Sequence, residues 1–160
     1  MIERTLKIAS QAERELVMTR TFEAPRELVF DAWTKPALLQ RWLGVRGGWT
    51  MPVCEVDLTV GGAYRFVWRR DEGREMTLRG VYREIVRPAR IVYSESFDDP
   101  WYPGEGVNTV SFSETGGSTT VTAVTLYESR AARDGVLASP MERGVREGYE
   151  KLDEVLRSMR

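Results

Sequence analysis

The strongest constraint on the fold is a change of period along the chain. From Trp49 to Glu128 apolar residues alternate with polar ones, interrupted only by short turn signals. After Ser139 the spacing becomes helical. Successive side chains of a strand point to opposite faces, whereas those of a helix return every three or four residues, so the two patterns are not interchangeable. Met51 to Leu58 reads as a strand that runs into Gly61-Gly62, a turn in which glycine tolerates positive φ. Ala63 to Arg70 alternates cleanly, with Tyr64, Phe66 and Trp68 on one face and Arg65 and Arg69 on the other. Asp71-Glu72-Gly73 reads as a hairpin turn, Met76 to Val86 as a strand ended by Arg87-Pro88, and Ile91 to Phe97 as the next strand. The loop Asp98 to Gly104 precedes a last pair, Val107 to Glu114 and Thr119 to Glu128, joined by Thr115-Gly116-Gly117-Ser118.

Two shorter segments complete the pattern. Glu15 to Phe22 is apolar and β-branched, hence a strand, and Ala24-Pro25 ends it. Leu28, Val29, Ala32 and Trp33 then mark one helical face, and a second short helix carries Leu38, Leu39 and Trp42. At the other end, Ser139-Pro140-Met141-Glu142 reads as a capping box with proline at the first helical position. Met141, Val145, Tyr149, Leu152 and Leu156 form the apolar stripe of that helix, and Ala131 to Ala138 adds a turn or two before it. Arg143, Arg146, Arg157 and Arg160 alternate with Glu142, Glu147, Glu150 and Glu154, a solvated face with local ion pairs.

Consecutive hairpin-linked strands imply an antiparallel sheet. The expected fold is α+β: a curved seven-stranded antiparallel sheet from Glu15 to Glu128, with two short helices between its first and second strands, from Pro25 to Leu43. A long helix, from about Pro140 to Ser158, is expected to lie across the concave face. The 160 residues suit one domain, 1–160, with its core at about 15–158.

Composition excludes more than it selects. There is no histidine, which removes the commonest general base, the commonest metal ligand and the Ser-His-Asp mechanism together. One cysteine, Cys54, cannot form an internal disulfide or a Cys/His zinc set, so neither a metal nor another cofactor is expected. Without a histidine to activate it, Cys54 reads as a small buried hydrophobe. The formal net charge of -1 gives no basic excess with which to grip phosphates, so nucleic acid is not an expected partner. No stretch approaches the ~18 apolar residues of a membrane span, and the charged run from Met1 to Arg14 lacks the apolar core of a signal peptide. The expected location is the cytoplasm.

The run Thr21-Phe22-Glu23-Ala24-Pro25-Arg26-Glu27-Leu28-Val29-Phe30-Asp31-Ala32-Trp33-Thr34 resembles the START-like superfamily, the helix-grip fold. Trp42, Gly61-Gly62 with Tyr64 and Phe66, Gly80-Val81-Tyr82-Arg83-Glu84 before Arg87-Pro88, and Met141-Glu142-Arg143-Gly144 add to the likeness. Within the superfamily the chain looks like the bacterial branch related to the activator of the heat-shock-protein-90 ATPase. The match covers roughly residues 15 to 157. The resemblance implies the fold and an interior cavity; it implies no reaction, because the family shares no catalytic residue set.

The candidate site is the inner face of the sheet with the helix above it. Tyr64, Phe66, Trp68, Tyr82, Tyr93 and Phe97 share the inward parity, and Met141, Val145 and Tyr149 lean back from the helix. Trp42 and the loop residues Trp101 and Tyr102 are expected to flank an opening. That loop reads equally well as a lid, a homodimer contact or a plug in the core. Glu84 and Glu95 are carboxylates at apolar parity, either anchors for a ligand or partners of an arginine such as Arg20 or Arg79. Pairing is the preferred reading, with a bulge able to turn either outward. No catalytic residue is assigned. Binding of a small apolar or aromatic molecule needs only the cavity. A cyclase- or hydrolase-like enzyme using Glu and Tyr is the alternative. A chaperone partner comes third, since the chain has no residues for the separate N-terminal domain of the eukaryotic activator.

Overall fold

The computed structural model describes residues 5–45 and 47–159. Met1 to Arg4 and Arg160, on which parts of the N-terminal and helix-face readings rest, lie outside the described residues. The strands are β1 (Lys7–Gln11), β2 (Glu15–Phe22), β3 (Thr50–Val56), β4 (Ala63–Arg69), β5 (Glu75–Val86), β6 (Arg90–Phe97), β7 (Gly106–Thr115) and β8 (Ser118–Leu126). The helices are α1 (Arg26–Thr34), α2 (Pro36–Trp42), α3 (Arg130–Ala138) and α4 (Met141–Ser158). All pairings are antiparallel, and the strands lie side by side in the order β1-β2-β8-β7-β6-β5-β4-β3. The sheet is curved and open, and the α+β helix-grip architecture is the expected one.

It has one strand more than the pattern suggests. β1 pairs with β2 across a turn at Ala12, which takes φ 51° without a glycine, and most of β1 is exposed. Neither the turn chemistry nor an apolar alternation announces it. The hairpin at Gly116-Gly117 is the opposite case. Both residues take positive φ, 59° and 81°, as a two-residue turn between twisted strands requires.

The helical ends also differ from expectation. α3 is a helix in its own right, capped by Ser129, whose Oγ accepts from the Ala132 amide at 3.0 Å. The capping box at Ser139 does not form. Ser139 Oγ instead donates to the Val136 carbonyl at 2.6 Å, closing α3, while Glu142 pairs with Arg146 within α4 at 2.5 Å. Two helices compete for the same serine, and the one that precedes it takes the hydroxyl.

The main core lies between the sheet and α4. Phe22, Val29, Phe30, Trp33, Leu39 and Trp42 meet Tyr149, Leu152, Val155 and Leu156 there. Phe22 and Trp33 meet the Tyr149 ring with centroids 5.3 and 5.8 Å away. A second cluster, Leu16, Tyr102, Tyr127, Ala132 and Val136, seals the end of the sheet under α3. The helix stripe is thus buried at its C-terminal end and only half-buried at Met141 and Val145. These two residues border the space between α4 and the sheet.

Candidate functional site

The register of the central strands builds one wall. Tyr64 faces Gly80, Phe66 faces Leu78 and Trp68 faces Met76 across β4 and β5. Tyr82 faces Tyr93 across β5 and β6, and Tyr93 faces Asn108 across β6 and β7. The result is a continuous aromatic surface, with Tyr64 ring centroids 5.0 Å from Phe66 and 5.6 Å from both Tyr82 and Tyr93. Opposite it, Met141, Val145 and Tyr149 of α4 form the other wall. Between them lies a space of about 750 Å³, reached also by Trp42, Glu95, Phe97 and Trp101. The twelve residues singled out from the sequence therefore lie around one space. So do all five tryptophans of the chain, Trp33 and Trp49 included.

Trp42 is not at an opening. It is buried in the core, its Nε1 donates to the Ala32 carbonyl at 2.8 Å, and its ring sits 4.7 Å from that of Trp33. It is nevertheless one of the residues that line the space. The loop residues divide their roles: Trp101 is 48% exposed at the rim, whereas Tyr102 is buried in the second cluster. The loop is held at its ends by Arg79 on Asp98, at 2.7 and 2.5 Å, and by Arg83 on Glu105 at 3.1 Å. The Glu105 amide also donates to Glu128.

The two carboxylates part company. A register shift between Tyr82 and Glu84 turns Glu84 outward, where it pairs with Arg90 at 3.4 Å. Its partner is therefore an arginine other than Arg20, which pairs with Asp153, or Arg79, which pairs with Asp98. Glu95 is not paired at all: no cation among the described residues contacts it. Its Oε2 accepts from the Tyr102 hydroxyl at 2.5 Å and its Oε1 from the Asn108 amide nitrogen. Thr125 Oγ1 donates to Asn108 Oδ1 at 2.6 Å, which fixes which way that amide faces. Gly106, opposite Glu95 in the ladder, makes room for this arrangement. A Cβ there would stand 3.1 Å from Glu95 Cγ and 3.4 Å from the Tyr102 hydroxyl.

Asn108 and Thr125 are missed by a reading of hydrophobic alternation, although Asn108 carries the same signal as Glu95. It is polar in register with Val110 and Phe112, both buried. Thr125 gives less away, because threonine is an ordinary strand residue on either face.

The phenols report the electrostatics. Burial first, and the Glu95 charge second, push Tyr93 well above its ordinary range, and the same two causes raise Tyr102 and Tyr127. Tyr64 is raised by burial, then by Tyr93 and Glu95. All four are neutral donors or acceptors near pH 7. Tyr64 donates to the Ser94 carbonyl at 2.6 Å. The Tyr93 hydroxyl donates to no described residue. Every fully buried side-chain polar atom among the described residues has a partner, so this hydroxyl is not fully enclosed, and Tyr93 borders the space between the sheet and α4.

Cys54, on β3 opposite Phe66, is half-buried, and burial pushes its thiol up to about 11. From the ordinary 9.0, that rise cuts the thiolate fraction at neutral pH roughly a hundredfold. Alkylation by iodoacetamide at pH 7 is expected to be at least ~10-fold slower than in the urea-unfolded chain. Its rate should keep rising past the pH at which the unfolded thiol has levelled off. Because the unfolded chain loses this proton first, the same group lowers stability as pH climbs from the unfolded value toward 11. Equal rates in folded and unfolded protein would contradict the assignment.

Among the described residues no group of three or more His, Cys, Asp or Glu could hold a metal ion, and no helix is long and apolar enough to cross a membrane. A curved, open antiparallel sheet with a long C-terminal helix packed against it defines a START-like domain. The chain belongs to the family described as activator of Hsp90 ATPase homolog 1-like protein, whose sequence model matches residues 23–157. A crystal structure from Rhodobacter sphaeroides is 34% identical, with 96% of this chain and 99% of that one aligned at a TM-score of 0.90. One from Chromobacterium violaceum is 26% identical over 91% and 98% of the two chains, at a TM-score of 0.76. One from Nitrosomonas europaea, 24% identical over 94% and 98% at 0.81, shares the fold. Among curated proteins none matches.

Proposed function

We propose that this protein binds a small apolar or aromatic molecule in the space between the sheet and α4. The observation that carries the reading is the hollow itself, about 750 Å³ and walled by aromatic rings. Protein interiors pack about as densely as organic crystals and leave few voids larger than a water molecule. Small-molecule sites typically occupy ~300–1,000 Å³, with mostly apolar walls and a few placed polar groups. Here those groups are Tyr93, Glu95 and Asn108. The chain has no disulfide and one free thiol, which fits a reducing compartment, and the cytoplasm is the proposed location.

The test uses naphthylmethanol, a neutral probe of suitable size. With five tryptophans around the space, binding at one probe per chain is expected to change the intrinsic fluorescence. Trp68→Ala is expected to enlarge the space and to cost less than the ~3–5 kcal/mol of a tryptophan deleted from a solid core. Failure of the probe to bind, together with a full core-sized loss in Trp68→Ala, would show that the interior is filled and sink the proposal.

A further inference from the structure

We infer that the molecule held in this cavity carries a cationic nitrogen, a protonated amine or amidine on an apolar body, and that this nitrogen pairs with Glu95. The inference rests on the reading of the cavity as a binding site and narrows it to a chemical class.

Among the described residues, Glu95 is the only Asp, Glu, Lys or Arg on the sheet wall of the space. The other charged groups around it, Arg70, Arg143 and Glu147, are exposed at the periphery, and Arg70 lies over the Trp49 ring at 5.6 Å. Among the described residues no cationic group reaches the carboxylate. A charge removed from water without a counter-charge is costly, and native interiors normally supply one. Here the chain supplies two neutral donors instead, one to each oxygen. Each carboxylate oxygen accepts about two hydrogen bonds, so both retain acceptor capacity. The donors are themselves held: Asn108 by Thr125, and Tyr102 by its burial under α3. The acceptor is therefore preorganised, and its desolvation is already met by folding rather than by binding.

The surroundings favour a cation over a neutral donor. Phenol rings of Tyr93, Tyr102 and Tyr127 stand around the carboxylate, with Phe97 next to Tyr102 at 6.0 Å. The faces of such rings attract an ammonium or amidinium group. The unengaged Tyr93 hydroxyl can accept one of its protons while Glu95 accepts another. An anionic ligand seated here would meet the Glu95 carboxylate, and the described basic groups of the space, Arg70 and Arg143, lie exposed at its periphery.

Three probes of one shape separate the outcomes: naphthylmethylamine, naphthylmethanol and naphthoate, titrated into the full chain at pH 7 with tryptophan fluorescence as the readout. The amine is expected to bind at least about tenfold more tightly than the alcohol, the difference a charge-assisted hydrogen bond makes, and naphthoate to bind most weakly. In Glu95→Gln the preference for the amine should disappear while naphthylmethanol still binds. Amine and alcohol binding equally, or naphthoate binding best, would overturn the inference and leave the cavity's binding role intact. No binding by any of the three would remove both. If Glu95→Gln fails to fold, the ranking on the unaltered protein decides alone.

Discussion

Gly80→Ala is expected to destabilise the protein by about 3–5 kcal/mol, the sum of a backbone clash in a packed interior and a strained buried hydrogen bond. Gly80 lies in β5 where the sheet is pinched. A Cβ there would stand 1.8 Å from the Ser94 carbonyl oxygen and 2.6 Å from the Tyr64 ring. Neither neighbour is free to move. The Ser94 carbonyl accepts from the Tyr64 hydroxyl, the Ser94 hydroxyl accepts from the Val81 amide at 3.0 Å, and Tyr64 packs against three other rings or edges of the wall. The missing side chain lets β6 lean over β5 at Ser94, and the next residue is Glu95. Gly80 thus shapes the backbone from which the carboxylate projects. For a chain of this length the loss corresponds to a fall in Tm on the order of 10 °C. The matched control is Gly135→Ala, in α3, where an added Cβ meets nothing. Glycine inside a helix costs roughly 0.5–1 kcal/mol relative to alanine, so that variant should gain stability. Urea denaturation of the two variants checks both signs, and a Gly80→Ala change under ~1 kcal/mol would refute the pinch.

The contrast between these two glycines shows what the sequence reveals and what it withholds. Gly116-Gly117 is legible because two residues between two alternating runs leave only a hairpin turn. Gly80 stands in the middle of an alternating run, where a glycine has no local meaning. Its reason is a carbonyl on a strand that is neighbouring in space and 14 residues away, at Ser94. The same distinction runs through the site. Inward parity places Tyr64, Phe66, Trp68, Tyr82 and Tyr93 on one wall from the two-residue period alone. Parity cannot say whether a wall faces another wall or a void, because that depends on how far α4 stands from the sheet. Nor can it follow a bulge. Glu84 and Glu95 look equivalent in the sequence, and a single register shift near Glu84 turns one to solvent and leaves the other inside. Trp42 shows the limit for helices: the stripe marks it as apolar, but only the crossing of α2 and α4 decides between rim and core.

A buried ion pair, Arg20–Asp153, ties α4 to the sheet, and its loss is the second large effect expected. Arg20 of β2 reaches Asp153 of α4 with both guanidinium nitrogens, at 2.6 Å each, while its charged head lies 4.6 Å from the Phe22 ring centroid. The Arg20 side chain is 8% exposed and that of Asp153 21%. Removing one partner of such a pair leaves the other buried and uncompensated, which typically costs ~3–5 kcal/mol. Asp153→Ala is expected at the lower end of that range, because the outer side of the pair still touches water. The pair itself is a different matter. Two charges taken out of water roughly offset their own attraction, so apolar residues of similar size often replace them at little loss. The double variant Arg20→Met, Asp153→Leu should therefore recover most of what Asp153→Ala loses. What it should not recover is the position of the helix. A bidentate contact fixes the rotation and height of α4, and with them the separation of Tyr149 from the aromatic wall; a Met–Leu contact slides. The expected signature is a double variant close to the unaltered protein in urea midpoint but with weakened or broadened binding of naphthylmethanol. A double variant as unstable as Asp153→Ala would mean that the ion pair itself holds the helix down. Unchanged probe binding in a stable double variant would mean that packing alone sets the depth of the space.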